Sequence, residues 1–215
     1  MQIQPSFRAT APQGRTTGDV SDLLSSMVPT AVTFYAPDQP IYGQGDAAGP
    51  LYLVEFGTVR ICRLTADGRR QISAFHTAGE VFGFEAGIEH DSFAESVDGA
   101  GIRVLRPNCN GQPTASLLLL ALRSLARTQH HLMVLGRRNA GERMAALLVD
   151  LAERQGNEPV VNLSMQRNDI ADYLGITFET VSRILRTFKE QKLIRLRSIS
   201  QIEILDLDTL QDMCE

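Results

Sequence analysis

Cysteine is scarce in this chain: Cys62, Cys109 and Cys214 are the three present, widely separated and with no C-x-x-C pair. Three scattered thiols cannot build a disulfide framework, and they fit a reduced, cytoplasmic setting. Positive charge is not in surplus either. The 21 Lys and Arg face 25 Asp and Glu, a net charge of -4. That excludes a globally basic nucleic-acid binder but leaves room for a locally basic one. Long apolar runs are missing. The greasiest, SLLLLAL at 116–122, is too short to span a bilayer and is followed by Arg123. The opening MQIQPSFRATAPQGRTTGDV has no apolar core of the signal-peptide kind, so no membrane association is expected. The four histidines form no His-x-His cluster. His130 and His131 are neighbours on a helical stretch and do not face one way. No catalytic residue, metal or cofactor is therefore expected, and an enzyme is not indicated.

What is present divides along the chain. The 215 residues, 43% hydrophobic and 21% charged, suit one large or two small soluble domains. Residues 1–20 are rich in Pro, Gln, Thr and Gly and are expected to be disordered. From Ala31 to Leu105 the text is strand-like, with LYLVEFGTVRICRL forming two β-rich runs around Gly57. Asp67-Gly68 between two such runs is a two-residue hairpin signal. Short strands with glycine at nearly every turn predict an antiparallel barrel or roll. Cys62, in an alternating strand, reads as a small buried hydrophobe.

The period then changes. From Pro113 to Arg137, Leu118, Leu122, Leu125, Gln129 and Leu132 recur at heptad spacing. That is the seam of a paired helix, or of one helix lying on its own β-domain. Gly136-Arg137-Arg138-Asn139 makes a break. The amphipathic AGERMAALLVDLAERQG follows, ended by Gly156. Next come LSMQRNDIADYLG, with Ser164 as its expected N-cap, and a helix over 178–191 capped by Thr177. The alternating LIRLRSISQIEIL reads as a hairpin wing. Helix, glycine turn, helix and wing match a winged helix-turn-helix.

The second of these helices has two faces. Val181, Ile184, Leu185 and Phe188 make an apolar stripe, and Glu179, Ser182, Arg183 and Arg186 make a polar one. Over 163–200 seven basic residues meet four acidic ones, so this segment is +3 and the rest of the chain is -7. Such local asymmetry suits phosphate binding. Phosphates would repel Glu179, but a cytosine N4 amino group would donate to it, and Arg183 can grip O6 and N7 of a guanine. The alternative reading of Glu179 is an acid that stabilises the first helical turn. Spacing alone leaves both open.

PLYLVEFGTVRICRLTADGRRQISAFHTAGEVFGFEAG and DIADYLGITFETVSRILRTFKEQKLI together resemble the Crp/Fnr superfamily of bacterial transcription regulators over nearly the whole chain. The E-x-x-S-R pattern of Glu179, Ser182 and Arg183 is similar to the Fnr-type branch. The resemblance implies a TTGA-containing inverted repeat as operator. Glu179 and Arg183 would read its central G·C pair, Ser182 an adjacent thymine, and Phe178 a thymine methyl. It suggests Arg167, Thr177 and Thr180 as phosphate contacts, beside Arg186. No Arg lies between Arg70 and Arg103, so the roll lacks a partner for a cyclic phosphate. No cysteine precedes Cys62, so an N-terminal iron–sulfur ligand set is missing. What remains resembles the FixK-type branch, regulators of low-oxygen respiration and nitrogen fixation. In such regulators the TADGRR hairpin region can touch RNA polymerase; a solvated charged turn is the other reading of it.

The expected fold is thus α+β: a double-stranded β-roll of the cyclic-nucleotide-binding kind over 21–112, a dimerisation helix over 113–137, and a winged helix-turn-helix over 138–215. Expected partners are double-stranded DNA, a second copy of the chain and RNA polymerase. Two alternatives stay open: a regulator of the same fold gated by haem or a small ligand in the roll, as in nitrogen-oxide sensing, and a winged-helix module that binds protein.

Overall fold

The structure is a computed structural model describing residues 27–28, 30–107 and 115–214. The segment expected to be disordered, 1–20, lies outside these residues, as does Cys109. The described residues begin with nine strands, β1 Met27–Val28, β2 Val32–Tyr35, β3 Pro40–Tyr42, β4 Leu51–Phe56, β5 Thr58–Leu64, β6 Arg70–Thr77, β7 Val81–Phe82, β8 Phe93–Ser96 and β9 Ala100–Pro107. All their pairings are antiparallel. One sheet runs β1-β9-β4-β7 with β2 also on β9, and the other runs β3-β8-β5-β6. Their inner faces bury Val54, Val59, Ile61, Ala94, Ala100 and Ile102 together with Tyr42, Tyr52 and Phe82. Two twisted antiparallel sheets closed on such a core make a β-roll.

The chain passes from β4 in one sheet to β5 in the other at a bend at Gly57, which has φ +82° and whose missing Cβ would lie 2.0 Å from the Gly99 carbonyl oxygen. Only glycine fits there. The hairpin from β5 to β6 stands where Asp67-Gly68 places it, but its loop has three residues rather than two. The Thr65 amide donates to the Arg69 carbonyl at 2.9 Å and the Gly68 amide to the Thr65 carbonyl at 2.8 Å. Asp67 accepts from the Thr65 hydroxyl at 2.5 Å and from Arg69 Nε at 2.6 Å, which favours a turn begun at Thr65. Gly68, at φ +80°, supplies the left-handed residue of a three-residue loop.

Helix α1, Ala115–Leu135, crosses the roll. Its inner side packs Leu117 and Leu120 on Leu51, Leu53, Val81 and Leu105. Its outer side leaves Leu118, Leu122, Leu125 and Leu132 exposed, at 59%, 51%, 53% and 62%. Helix α2, Ala140–Arg154, begins after the break. The Asn139 side chain accepts from the Glu142 amide at 2.9 Å and donates to the Glu142 carboxylate, a reciprocal cap.

The remaining elements are β10 Val160–Asn162, α3 Arg167–Leu174, α4 Phe178–Glu190, β11 Ile194–Leu196, β12 Gln201–Ile204 and α5 Leu207–Asp212. Strands β10, β12 and β11 form one antiparallel sheet, the wing. Neither β10 nor α5 stands out in the sequence, since each is too short to show a period. Ser164 is not the cap of α3. Leu163 and Met165 are buried in an extended lead-in, and Gln166 takes the N-cap position without a side-chain bond. One apolar cluster joins Cys62, Ile72, Phe75 and Val97 of the roll to the buried faces of α2, α3, α4 and the wing.

Candidate nucleic-acid interface

Helices α3 and α4 meet through a turn that Gly175 makes possible. It caps α3 at φ +62°, ψ +41°, and the Ile176 amide returns to the Ala171 carbonyl at 3.0 Å. Thr177 then opens α4, its hydroxyl oxygen accepting from the Thr180 amide at 3.3 Å. Val181, Ile184, Leu185 and Phe188 are buried, which fixes the rotation of α4 about its axis. The opposite stripe is thereby turned outward: Glu179, Arg183 and Arg186 are exposed, Ser182 is half-buried, and Phe178 is 45% exposed at the helix start.

The site residues named from the sequence are therefore brought together. Arg167, on the first turn of α3, donates from Nη1 to Ser182 Oγ at 3.4 Å, tying the phosphate candidate to the polar stripe of α4. Thr177 and Thr180 lie with hydroxyl oxygens 3.1 Å apart beside them. Glu179's own backbone amide and the Thr177 hydroxyl hold its carboxyl below the usual carboxylate range. In the free protein the carboxylate thus serves the helix start, as the stabilising reading requires, while remaining on the outward face. Lys189 and Lys192 extend the basic surface, whereas Arg195 and Arg197 pair with Glu203 at 2.9 and 3.1 Å.

Sequence reasoning missed what holds this unit against the roll. Asp169 of α3 is buried, and Arg60 of β5 and Arg70 of β6 reach it at 3.2 and 2.6 Å. Arg70 also bonds Asp172 at 2.8 Å. Tyr173 stacks on His131 of α1 with centroids 3.9 Å apart and tilts against Phe75 at 5.2 Å. His131 Nε2 donates to the Tyr173 carbonyl at 2.9 Å, and burial lowers its pKa. His130, its neighbour, is exposed. Burial pushes the Cys62 thiol up to about 12, so it is a packed hydrophobe and not a nucleophile. Among the described residues no group of His, Cys, Asp and Glu is placed to hold a metal ion, and no helix is long and apolar enough to cross a membrane.

A winged helix-turn-helix whose second helix presents a polar stripe, docked on a β-roll, defines a DNA-binding regulator. Comparison with known proteins agrees. The Crp-like helix-turn-helix domain matches residues 142–213, and the cyclic nucleotide-binding domain matches residues 32–98. The nitrogen fixation regulation protein FixK of Rhizobium meliloti is 47% identical over 186 residues, 86% of this chain and 88% of that protein. The fumarate and nitrate reduction regulatory protein of Vibrio cholerae is 32% identical over 188 residues, 81% of this chain and 75% of that one. The structure of FixK2 from Bradyrhizobium japonicum superposes with a TM-score of 0.81 at 34% identity, covering 87% of this chain and 98% of that chain. The chain belongs to the Crp/Fnr superfamily of transcription regulators, among its FixK-type members.

The residues of the roll do not fit a cyclic nucleotide. The stretch from 71 to 102 holds neither Arg nor Lys. The flanking guanidiniums are engaged, Arg70 with α3 and Arg103 with Glu55 and the Thr30 carbonyl. Within the stretch, the Glu85 carboxylate pairs with buried His90 at 3.2 Å, and His90 stacks on Tyr42 at 3.8 Å. A carboxylate without a guanidinium repels a phosphate rather than binding it.

Proposed function

We propose that two copies of the chain pair along α1 and activate transcription from a TTGA-containing inverted repeat, in control of low-oxygen respiration or nitrogen fixation. The reading rests on one observation: the stripe Glu179, Ser182, Arg183 and Arg186 faces outward because the opposite stripe of α4 is buried. Arg183 takes O6 and N7 of a guanine, Glu179 accepts from the paired cytosine, Ser182 meets a neighbouring thymine and Phe178 its methyl group. Arg167, Thr177, Thr180 and Arg186 hold phosphates and set the register. The exposed leucines of α1 give the second copy an apolar seam. Twofold symmetry then puts the two α4 helices about 34–36 Å apart, in successive major grooves. No effector is required in the roll. The exposed hairpin at Thr65–Arg69 serves as a contact for RNA polymerase, and the cytoplasm is the working compartment. The names of the FixK and fumarate and nitrate reduction relatives support the physiological part.

Selection of bound duplexes from a random pool, run without added ligand, tests the reading. The expected product is an inverted repeat carrying TTGA in each half. Enrichment of asymmetric sites, or of none, would overturn it.

A further inference from the structure

The face of α3 turned away from α4 carries Asp169, Asp172 and Tyr173, spaced i, i+3, i+4 and so aligned on one side of the helix. All three grip the rest of the molecule. Asp169, with its side chain 3% exposed, receives Arg60 and Arg70. Asp172 receives Arg70, and Tyr173 lies between Phe75 and His131. The receiving side is built within the roll itself: Arg60 is also held by Asp38 and Glu95, each at 2.7 Å, so its guanidinium is in place before α3 arrives. A buried carboxylate left without partners is costly, so Asp169 makes one docked orientation of the helix pair much better than its neighbours. In that orientation the reading stripe of α4 is exposed and clear of the roll.

There is an electrostatic consequence. Asp169 and Asp172 are two of the four acids of the otherwise basic segment 163–200, and Asp169 lies two residues after Arg167. Undocked, they would repel phosphates beside a phosphate contact. Docked, two arginines of the roll neutralise them.

We propose that Asp169 and Asp172 are positioning residues, through which Arg60 and Arg70 hold the helix-turn-helix in its DNA-competent orientation without an effector. The roll thus does by a permanent ion-pair latch what a bound ligand would otherwise do. The proposal deepens the function given above and rests on its DNA reading, but its latch is testable apart from it.

The sign of one effect separates the latch from simple charge. Removing an acid near DNA tightens binding to every duplex if charge alone counts. If the latch holds, loosening it lowers the competent fraction and weakens binding to the preferred duplex. The probe is the duplex that the wild-type protein itself selects, beside a scrambled one. Asp172→Asn is expected to weaken the selected duplex about threefold, as a partly exposed pair allows. Asp169→Asn is expected to weaken it at least about tenfold. Arg70→Gln combined with Asp172→Asn should weaken it no more than Arg70→Gln alone, because Arg70→Gln already breaks the Asp172 pair along with the Asp169 one. Thermal unfolding midpoints show which variants are folded. Spin labels at Ile88 of the roll and Lys189 of α4, both exposed, report the orientation without DNA. Their distance distribution should broaden in Asp172→Asn and Asp169→Asn. Tighter binding of both duplexes by folded Asp172→Asn overturns the proposal, and so does an unchanged distance distribution. Should the wild type select no duplex, the operator reading fails, and the label distances still decide the latch.

Discussion

Glu179 lies in the first turn of α4, where its own backbone amide and the Thr177 hydroxyl hold its carboxyl below the usual carboxylate range, and it is exposed on the outward face. The amide of Glu179→Gln keeps the size but adds a donor and removes a charge. Non-specific affinity should therefore rise, while the base preferred opposite this position changes; repeating the duplex selection with the variant checks it. Arg183 and Arg186 are both exposed on the same helix but differ in what they should touch. Arg183→Ala should cost about 1–3 kcal/mol per half-site and relax preference at one G·C pair. Arg186→Ala should weaken preferred and scrambled duplexes alike and lower the salt slope by about one. Anisotropy titrations across a salt series measure both. Equal loss of specific and non-specific binding in the two variants would show that the division of labour is wrong.

Helix α1 has two apolar sides. Leu117 and Leu120 cover the roll, as a helix lying on its own domain does, and the heptad leucines Leu118, Leu122, Leu125 and Leu132 stay exposed. Met133, 74% exposed next to Leu132, widens the outer seam and was not singled out in the sequence. Leu122→Lys with Leu125→Lys leaves the inner side untouched. This pair of changes should convert a dimer into a folded monomer in sedimentation velocity and abolish tight binding to an inverted repeat. The folded monomer should still bind DNA weakly and without sequence preference, since α4 is intact.

The molecule as a whole is tied at a second point, Glu80. Its carboxylate meets Arg127 of α1 at 3.0 Å, Arg154 of α2 at 3.1 Å and His76 of the roll at 3.5 Å. Burial works against its ionisation, but His76 beside it and the charges of Arg154 and Arg127 outweigh burial and hold its pKa down to about 2. A carboxyl depressed on folding stabilises the protein above its ordinary value of 4.5 and loses that contribution as pH falls towards about 2. Chemical denaturation across this interval should show stability falling by on the order of 2–3 kcal/mol from this group. Glu80→Gln should be less stable at neutral pH and show a shallower fall over the same interval.

The sequence by itself determined the parts that repeat over a few residues. The two faces of α4, the Thr177 cap, the Gly175 turn and the hairpin at Asp67-Gly68 are local properties, written in the period of apolar residues and in turn chemistry. The candidate DNA surface was legible for that reason. The short β10 and α5 were not, because two or three side chains make no period, and Ser164 was misplaced because burial of Leu163 and Met165, not capping strength, sets where α3 begins. Only the tertiary structure decided how the reading unit is held. Arg60 and Asp169 are 109 residues apart, and nothing near either one names its partner. Packing of β5 and β6 against α3 brings them within bonding distance, and the burial it imposes on Asp169 makes that pairing necessary.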